Sequence, residues 1–155
     1  MRIYADANLL VRFYLDYAVA GDARRLLTSS HGCRGRPLPV TTLLRMELMN
    51  ALQRLVFETR QGGQWRVTPE MVAAAWGDFE EDLADGGLFR PAVITLEEIA
   101  TEFGSLVGRH TARHGFRTYD VVHVASALHL GCDTFWSFDN KARQLAKLEG
   151  LKTNG

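Results

Sequence analysis

Near its start the chain reads Ile3-Tyr4-Ala5-Asp6-Ala7-Asn8-Leu9-Leu10-Val11. The apolar run Ile3–Ala5 predicts a short strand buried on both faces. The apolar pattern from Leu9 to about Leu15 predicts a helix, and the acidic residue Asp6 lies between the two. This stretch therefore predicts one strand-to-helix unit of an α/β domain, with a carboxylate at the end of the strand.

The rest of the chain repeats this alternation of strands and helices. Short apolar runs predict further strands at Leu38–Val40, Ala92–Thr95 and Thr134–Phe138. Periodic patterns between them predict helices, among them Leu43–Glu58, which Thr41 or Thr42 can cap, and Leu96–His114. The alternation predicts one domain over residues 1–155, of the α/β class, with a parallel-stranded central sheet of four to five strands flanked by helices. Further helices are predicted over Gly21–Leu27, from Thr68 to about Asp85, and over Asp139–Leu148. Another helix is predicted to about Leu130, with Thr118 as its cap.

Composition indicates an ordinary globular protein. The chain has 155 residues, of which 46% are hydrophobic and 23% charged, so it is long enough to bury a core without disulfides. No apolar run approaches the roughly 18 residues of a membrane-spanning helix. Asp6 interrupts the apolar start, which argues against a secretory segment, and a cytoplasmic location is expected. Cys33 and Cys132 stand alone, without the spacing of a disulfide or metal motif.

The net charge gives no general case for binding nucleic acid. Acidic and basic residues balance at 18 each, although 15 of the 18 cationic residues are arginine, whose planar side chain matches phosphate geometry. The one dense basic stretch, Arg109–Arg117, leads directly to Asp120. That stretch is compatible both with contact to RNA phosphates and with a solvated helix face.

Four acidic residues are the strongest functional signal. Asp6 and Asp139 follow predicted strands, and Glu47 and Asp120 lie in predicted helices. In a parallel sheet the functional crevice lies outside the carboxyl ends of the strands, so Asp6 and Asp139 are expected to face it. Four carboxylates in one cleft would repel one another and lose solvation unless a cation joined them. The set therefore predicts a hard divalent metal, as one ion or as two.

Each acid also has a purely structural interpretation. Asp6 fits a turn or helix cap, Glu47 fits a solvated helix position, and Asp139 fits the cap of the last helix. Asp120 begins a nearly apolar helix, whose dipole would stabilise its charge. His123, one turn later, is expected to be a hydrogen-bonded core histidine rather than a metal ligand.

Three segments of the chain resemble the motifs of PIN-domain ribonucleases. They are Ile3–Val11, Arg117–Ala127 and Phe135–Asp139 with the following Leu145–Leu151. Glu47 matches the acid on the helix after the second strand. The order of the motifs and the size of the chain are similar to those of the VapC toxins of toxin–antitoxin pairs. Two positions depart from the pattern: Asn8 stands where many relatives carry serine or threonine, and Phe138 is bulkier than the residues common there.

The resemblance implies a Mg²⁺- or Mn²⁺-dependent endoribonuclease that hydrolyses RNA with a metal-activated water and leaves a 5′-phosphate and a 3′-hydroxyl. It implies a homodimer and a small VapB-like antitoxin as partners. The resemblance also implies a single PIN domain over residues 1–155, with Asp6, Glu47, Asp120 and Asp139 as the metal-binding and catalytic set. Two further hypotheses concern its neighbours: Asn8 and Ser137 form the supporting shell, and Arg113 and Arg117 contact phosphate.

Two rival functions stay open on the sequence. An aspartate-nucleophile phosphatase would use Asp6, but it needs a second aspartate two positions later, where Asn8 stands. A non-catalytic PIN module would bind RNA or protein without cutting. The class of RNA, whether transfer, ribosomal or messenger, is open as well, because no base-reading pattern is visible.

Overall fold

Five short strands, all parallel to their partners, form the centre of the part of the chain that the structure describes. The computed structural model describes residues 1–15, 20–28 and 36–155, so Cys33 and the predicted end of the second helix near Ser29 lie outside the described residues. Strand β1 pairs with β4, β4 with β5, and β2 with β3. The strands are β1 Ile3–Ala5, β2 Leu38–Val40, β3 Phe89–Pro91, β4 Thr134–Trp136 and β5 Lys152–Thr153.

Helices cover these strands, and together they confirm the predicted parallel α/β class. The hydrogen bonding divides the strands into a three-stranded sheet, β1-β4-β5, and a two-stranded sheet, β2-β3, rather than one continuous sheet. Strand β1 also contacts β2, so the two sheets lie side by side. The helices are α1 Ala7–Leu15, α2 Ala20–Thr28, α3 Thr42–Arg60, α4 Pro69–Asp85, α5 Leu96–Leu106, α6 Ala112–His114, α7 Thr118–His129 and α8 Asn140–Leu148, with a π-helical segment Val107–Thr111 joining α5 to α6.

One predicted strand is wrong and another was missed. The predicted strand Ala92–Thr95 lies three residues too late, because the residues that pair with β2 are those of β3. The Thr95 side chain instead caps α5 by accepting a hydrogen bond from the Glu98 N–H at 3.2 Å. Strand β5 has only two residues, with no apolar pattern to predict it.

The predicted helix starts are confirmed at α3 and corrected at α7. The Thr41 hydroxyl accepts the Leu44 N–H at 3.1 Å and caps α3. Thr118 was expected to cap α7, but the capping position belongs to Arg117, whose N–H donates to the Asp120 carboxylate at 3.1 Å. An acceptor in the first turn satisfies a free backbone N–H as well as a capping hydroxyl does.

The core forms where helices meet both faces of the strands. Tyr4 and Phe135 stack on adjacent strands, with ring centroids 5.8 Å apart. Gly115 ends α6 with a φ of 66°, a conformation that residues with a Cβ rarely adopt, and it turns the chain into α7. No helix in the described ranges has the length and apolar character to span a membrane. The largest fully buried side chains include Tyr4, Leu9, Leu10, Leu44, Leu48, Phe79, Phe89 and Phe135.

Candidate active site

A cleft of about 540 Å³ lies at the carboxyl ends of β1 and β4. All four of the predicted acidic residues line it, although they come from four separate parts of the chain. Asp6 follows β1 directly, Asp139 lies three residues after β4, and Glu47 and Asp120 come from α3 and α7. Other lining side chains are those of Asn8, Met46, Asn50, Arg54, Arg117, Tyr119 and His123.

Asp6 is one of the two deeply buried acids of the cleft. Its residue is 6% exposed, and its carboxylate accepts the Leu9 N–H at 3.3 Å. Burial raises the pKa of Asp6 to about 7, because the loss of solvation outweighs the hydrogen bonds from Ser137 and Leu9. A buried carboxylate of this kind is the group whose charge a bound cation would stabilise most.

Asp120 is as deeply buried as Asp6 but has a cationic partner. Its two carboxylate oxygens accept hydrogen bonds from the Arg117 guanidinium, Oδ2 from Nε and Oδ1 from Nη2, both at 3.2 Å. The two residues lie three positions apart around the start of α7, so the arginine reaches back over the helix terminus. This pairing raises the pKa of Arg117 above its ordinary value.

Asp139 caps the last helix and faces the cleft at the same time. Its Oδ1 accepts the N–H groups of Lys141 at 2.8 Å and Ala142 at 3.2 Å. Its Oδ2 accepts a hydrogen bond from Arg117 Nη2 at 2.6 Å. The capping interpretation is therefore confirmed, and it leaves the second oxygen facing the cleft, where Arg117 bridges Asp139 to Asp120.

Glu47 approaches from the opposite wall of the cleft, on α3. Its Oε2 is hydrogen-bonded to Nε2 of His123 on α7. The other ring nitrogen, Nδ1, is hydrogen-bonded to the Tyr4 hydroxyl at 2.8 Å. His123 is thus a buried, fully hydrogen-bonded histidine as predicted, but one of its partners is a cleft carboxylate.

The loop between β4 and α8 is held by polar side chains below the cleft. Asn8 Oδ1 accepts the Phe138 N–H at 2.8 Å, and the Ser137 hydroxyl accepts the Asp139 N–H at 2.8 Å. Ser137 is fully buried. Asn154, which the sequence did not single out, accepts the Ser137 N–H at 2.9 Å. These contacts set the position of Asp139.

The two predicted phosphate-binding arginines differ in position. Arg117 lines the cleft, with 68% of its side chain exposed. Arg113 is exposed on α6 and is not among the residues that line the cleft. Part of the basic stretch is used internally, because Arg109 and His110 both bind Glu149, at 2.7 and 2.5 Å.

The family model for the PIN domain matches residues 3–148, nearly the whole chain. The chain belongs to the PIN domain family. PIN domains are generally nucleases that use divalent metals such as Mg²⁺, which supports a nuclease-type, hydrolytic function for this chain. The comparison with curated proteins finds no match.

The PIN cleft has the donor chemistry of a hard metal but not a preformed cage. Four carboxylates supply oxygen ligands of the kind that Mg²⁺ and Mn²⁺ prefer. Among the described residues, however, no three acidic, histidine or cysteine side chains stand close enough together to hold an ion as they are arranged. Arg117 and His123 instead bind three of the four carboxylates. The four acids fit a divalent metal ion in ligand type and in location.

Sequence reasoning missed the partners of the acids more than the acids themselves. The sequence predicts Tyr4 only as part of a buried strand, although a buried tyrosine hydroxyl normally has a hydrogen-bond partner. This need for a partner, together with His123 one turn after Asp120, could have indicated the contact between the two residues. Nothing in the sequence signalled Asn154.

Proposed function

We propose that this PIN domain is a metal-dependent endoribonuclease and the toxin of a VapBC-type toxin–antitoxin pair. In this proposal Asp6, Glu47, Asp120 and Asp139 bind Mg²⁺ or Mn²⁺ and form the catalytic set. The observation that supports it best is the shared cleft, since all four acids line it although up to 133 positions separate them in the chain. When bound, the metal would activate a water for attack and offset the charge on the scissile phosphate.

The chain's own residues would bind and orient the RNA. Asp6 and Asp120 form the buried floor, and Asp139 and Glu47 close two sides. The guanidinium of Arg117 lies between Asp120 and Asp139 and binds both. If a metal ion bound these two carboxylates, Arg117 would be released from them and could contact a phosphate. Arg54 lines the cleft with a side chain that is 68% exposed and is a second candidate for phosphate contact, in addition to Arg113 as predicted from the sequence.

Asn8 and Ser137 would act as the supporting shell. They hold the backbone of Phe138 and Asp139, and the Ser137 hydroxyl also lowers the pKa of Asp6 against the effect of burial. They would therefore orient the carboxylates.

Cleavage of RNA by the purified protein tests the proposal. Wild type with Mg²⁺ or Mn²⁺ is expected to cut, whereas Asp6→Asn and Asp120→Asn are expected to lose cleavage and still fold. Asp78→Asn, an exposed acid on α4 away from the cleft, is the matched control and should cut normally. Equal cleavage by all four proteins would refute the four-acid mechanism, and a single-stranded DNA substrate in parallel tests the preference for RNA.

Two other outcomes would favour the rival functions. Binding of RNA without cleavage, at saturating Mn²⁺, would favour a non-catalytic module. A covalent phosphate trapped on Asp6 would favour a phosphatase.

The toxin role and the homodimer require their own test. Met46, Met49 and Phe57 are exposed on α3, by 60%, 49% and 60%, and exposed apolar side chains next to a cleft support a partner surface. A short protein encoded beside this chain is expected to co-purify with it and to stop cleavage, and sedimentation is expected to give a dimer. A monomer with unaffected cleavage would refute both.

A further inference from the structure

A chain of buried hydrogen bonds reaches Glu47 from the core. It begins at Tyr4, which is completely buried in β1 and lies two residues before Asp6 on the same face of the strand. The Tyr4 hydroxyl is 2.8 Å from Nδ1 of His123. Burial raises the pKa of Tyr4 above its ordinary value, so its hydroxyl keeps its proton.

His123 joins this tyrosine to the cleft. It is 3% exposed and lies one helical turn after Asp120 on α7. Its Nε2 is hydrogen-bonded to Glu47 Oε2, across 76 positions of the chain. The imidazole therefore uses both nitrogens, one toward the core and one toward a carboxylate of the candidate metal site.

The partners at the two ends fix the direction of every hydrogen bond. A carboxylate only accepts, so Nε2 of His123 carries the proton that it donates to Glu47. When Nε2 carries the ring's only proton, Nδ1 is an acceptor and the Tyr4 hydroxyl donates to it.

The opposite tautomer would break this order. With the proton on Nδ1, the bare Nε2 would face the carboxylate of Glu47 and neither group would have a proton to share. Buried polar groups without partners are costly, so the contacts favour a proton on Nε2.

We propose that His123 is a positioning residue that fixes the Glu47 carboxylate in the cleft, and that Tyr4 orients the His123 ring from the core. This inference rests on the proposed function, in which Glu47 is a metal ligand. A glutamate on a helix can adopt many rotamers. Anchoring Oε2 to His123 confines the side chain and leaves Oε1 available to a metal ion, and such outer contacts typically change metal affinity by about 10–100-fold.

Two isosteric variants of His123 separate positioning from packing. His123→Gln keeps an amide N–H near the place of Nε2 and so keeps a donor to Glu47. His123→Asn keeps a polar atom near the place of Nδ1 but does not reach Glu47. Titration calorimetry with Mn²⁺, without RNA, is expected to show affinity about 10–100-fold weaker in His123→Asn and close to wild type in His123→Gln.

The structure offers a matched control for each substitution. His110 binds Glu149 outside the cleft, so His110→Asn should leave Mn²⁺ affinity unchanged. Tyr14 donates to Asp82 at 2.5 Å, and Tyr14→Phe is the control for Tyr4→Phe. Equal losses in His123→Asn and His123→Gln, or no loss in either, would overturn the positioning role while the nuclease function stood.

Nitrogen NMR of the histidine rings tests the contact without metal or RNA. Wild type is expected to show a protonated Nε2 at His123, and Tyr4→Phe is expected to keep it, because the Glu47 carboxylate is still the acceptor. An unprotonated Nε2 in wild type would overturn the proposal. If wild type neither bound Mn²⁺ nor cut RNA, the proposed function would fail and the role at Glu47 with it, even with the expected tautomer.

Discussion

Asp6→Asn should stabilise the metal-free protein at and above neutral pH, although it removes a proposed catalytic residue. Asp6 is 6% exposed, and burial raises its pKa from 3.8 to about 7. At 1.36 kcal/mol per pH unit, this rise corresponds to about 4 kcal/mol. Asparagine has a similar shape but no charge to desolvate, so the variant escapes that cost.

The sign follows from proton binding. Between pH 4 and 7 the folded protein holds a proton on Asp6 that the unfolded chain has released, so the stability of wild type falls as pH rises through this range. Below pH 4 both states are protonated and the effect vanishes. Most of the loss, about 2–3 kcal/mol, should fall between pH 5 and pH 8, and the variant should not share it.

Urea unfolding in EDTA, at several pH values between 5 and 8, measures this effect. The quantity of interest is the difference in free energy of unfolding between the variant and wild type, because other titrating groups cancel in it. Asp133→Asn is the control, since Asp133 is exposed and the Thr134 hydroxyl lowers its pKa, so its substitution should give no gain at high pH. A difference for Asp6→Asn that does not change with pH would refute the reasoning. Added Mn²⁺ should stabilise wild type and not Asp6→Asn.

Two further predictions concern the scaffold that holds the cleft. Leu48→Ala removes a fully buried side chain of α3 and should lower the free energy of unfolding by about 2–5 kcal/mol. Met49→Ala, at a half-exposed neighbour, should lower it far less, and equal losses would contradict the burial. Thr95→Ala removes the cap of α5 and should lower the free energy of unfolding, measured in urea, by about 1 kcal/mol. Thr118→Ala removes no capping hydrogen bond at α7, so an equal loss there would restore Thr118 as the cap.

Elements with a strong apolar pattern were predictable from the sequence. Strands Ile3–Ala5 and Leu38–Val40 are confirmed residue for residue, because fully buried strands are apolar throughout. The strand near residue 90 was misplaced because Ala92–Thr95 is more apolar than the observed strand, which contains Arg90 and Pro91. Thr95 instead caps α5. A two-residue strand such as β5 has too little sequence for any pattern, and only its pairing with β4 defines it.

The shared cleft was predictable, but the contacts within it were not. Carboxylates after parallel strands converge because the strand ends converge, and that placed Asp6 and Asp139. The pairing of Glu47 with His123 depends on how α3 and α7 lie against each other, which no local pattern records. Likewise, the sequence suggested that Arg117 would contact phosphate and gave no sign that it would bridge Asp120 and Asp139.

The existing partners of the four acids show which carboxylate a bound cation would stabilise most. Asp120 and Asp139 share the Arg117 guanidinium, and Glu47 is held by His123. In the described part of the chain, no lysine or arginine forms an ion pair with Asp6, which depends on the Leu9 N–H and the Ser137 hydroxyl. On binding a metal ion, the other acids exchange an existing partner for the ion, whereas Asp6 gains a cationic partner that it did not have. Loss of the Asp6 charge should therefore weaken Mn²⁺ binding more than loss of the Asp139 charge. Calorimetry on Asp6→Asn and Asp139→Asn compares the two directly, and the reverse order would mean that the release of Arg117 governs metal binding.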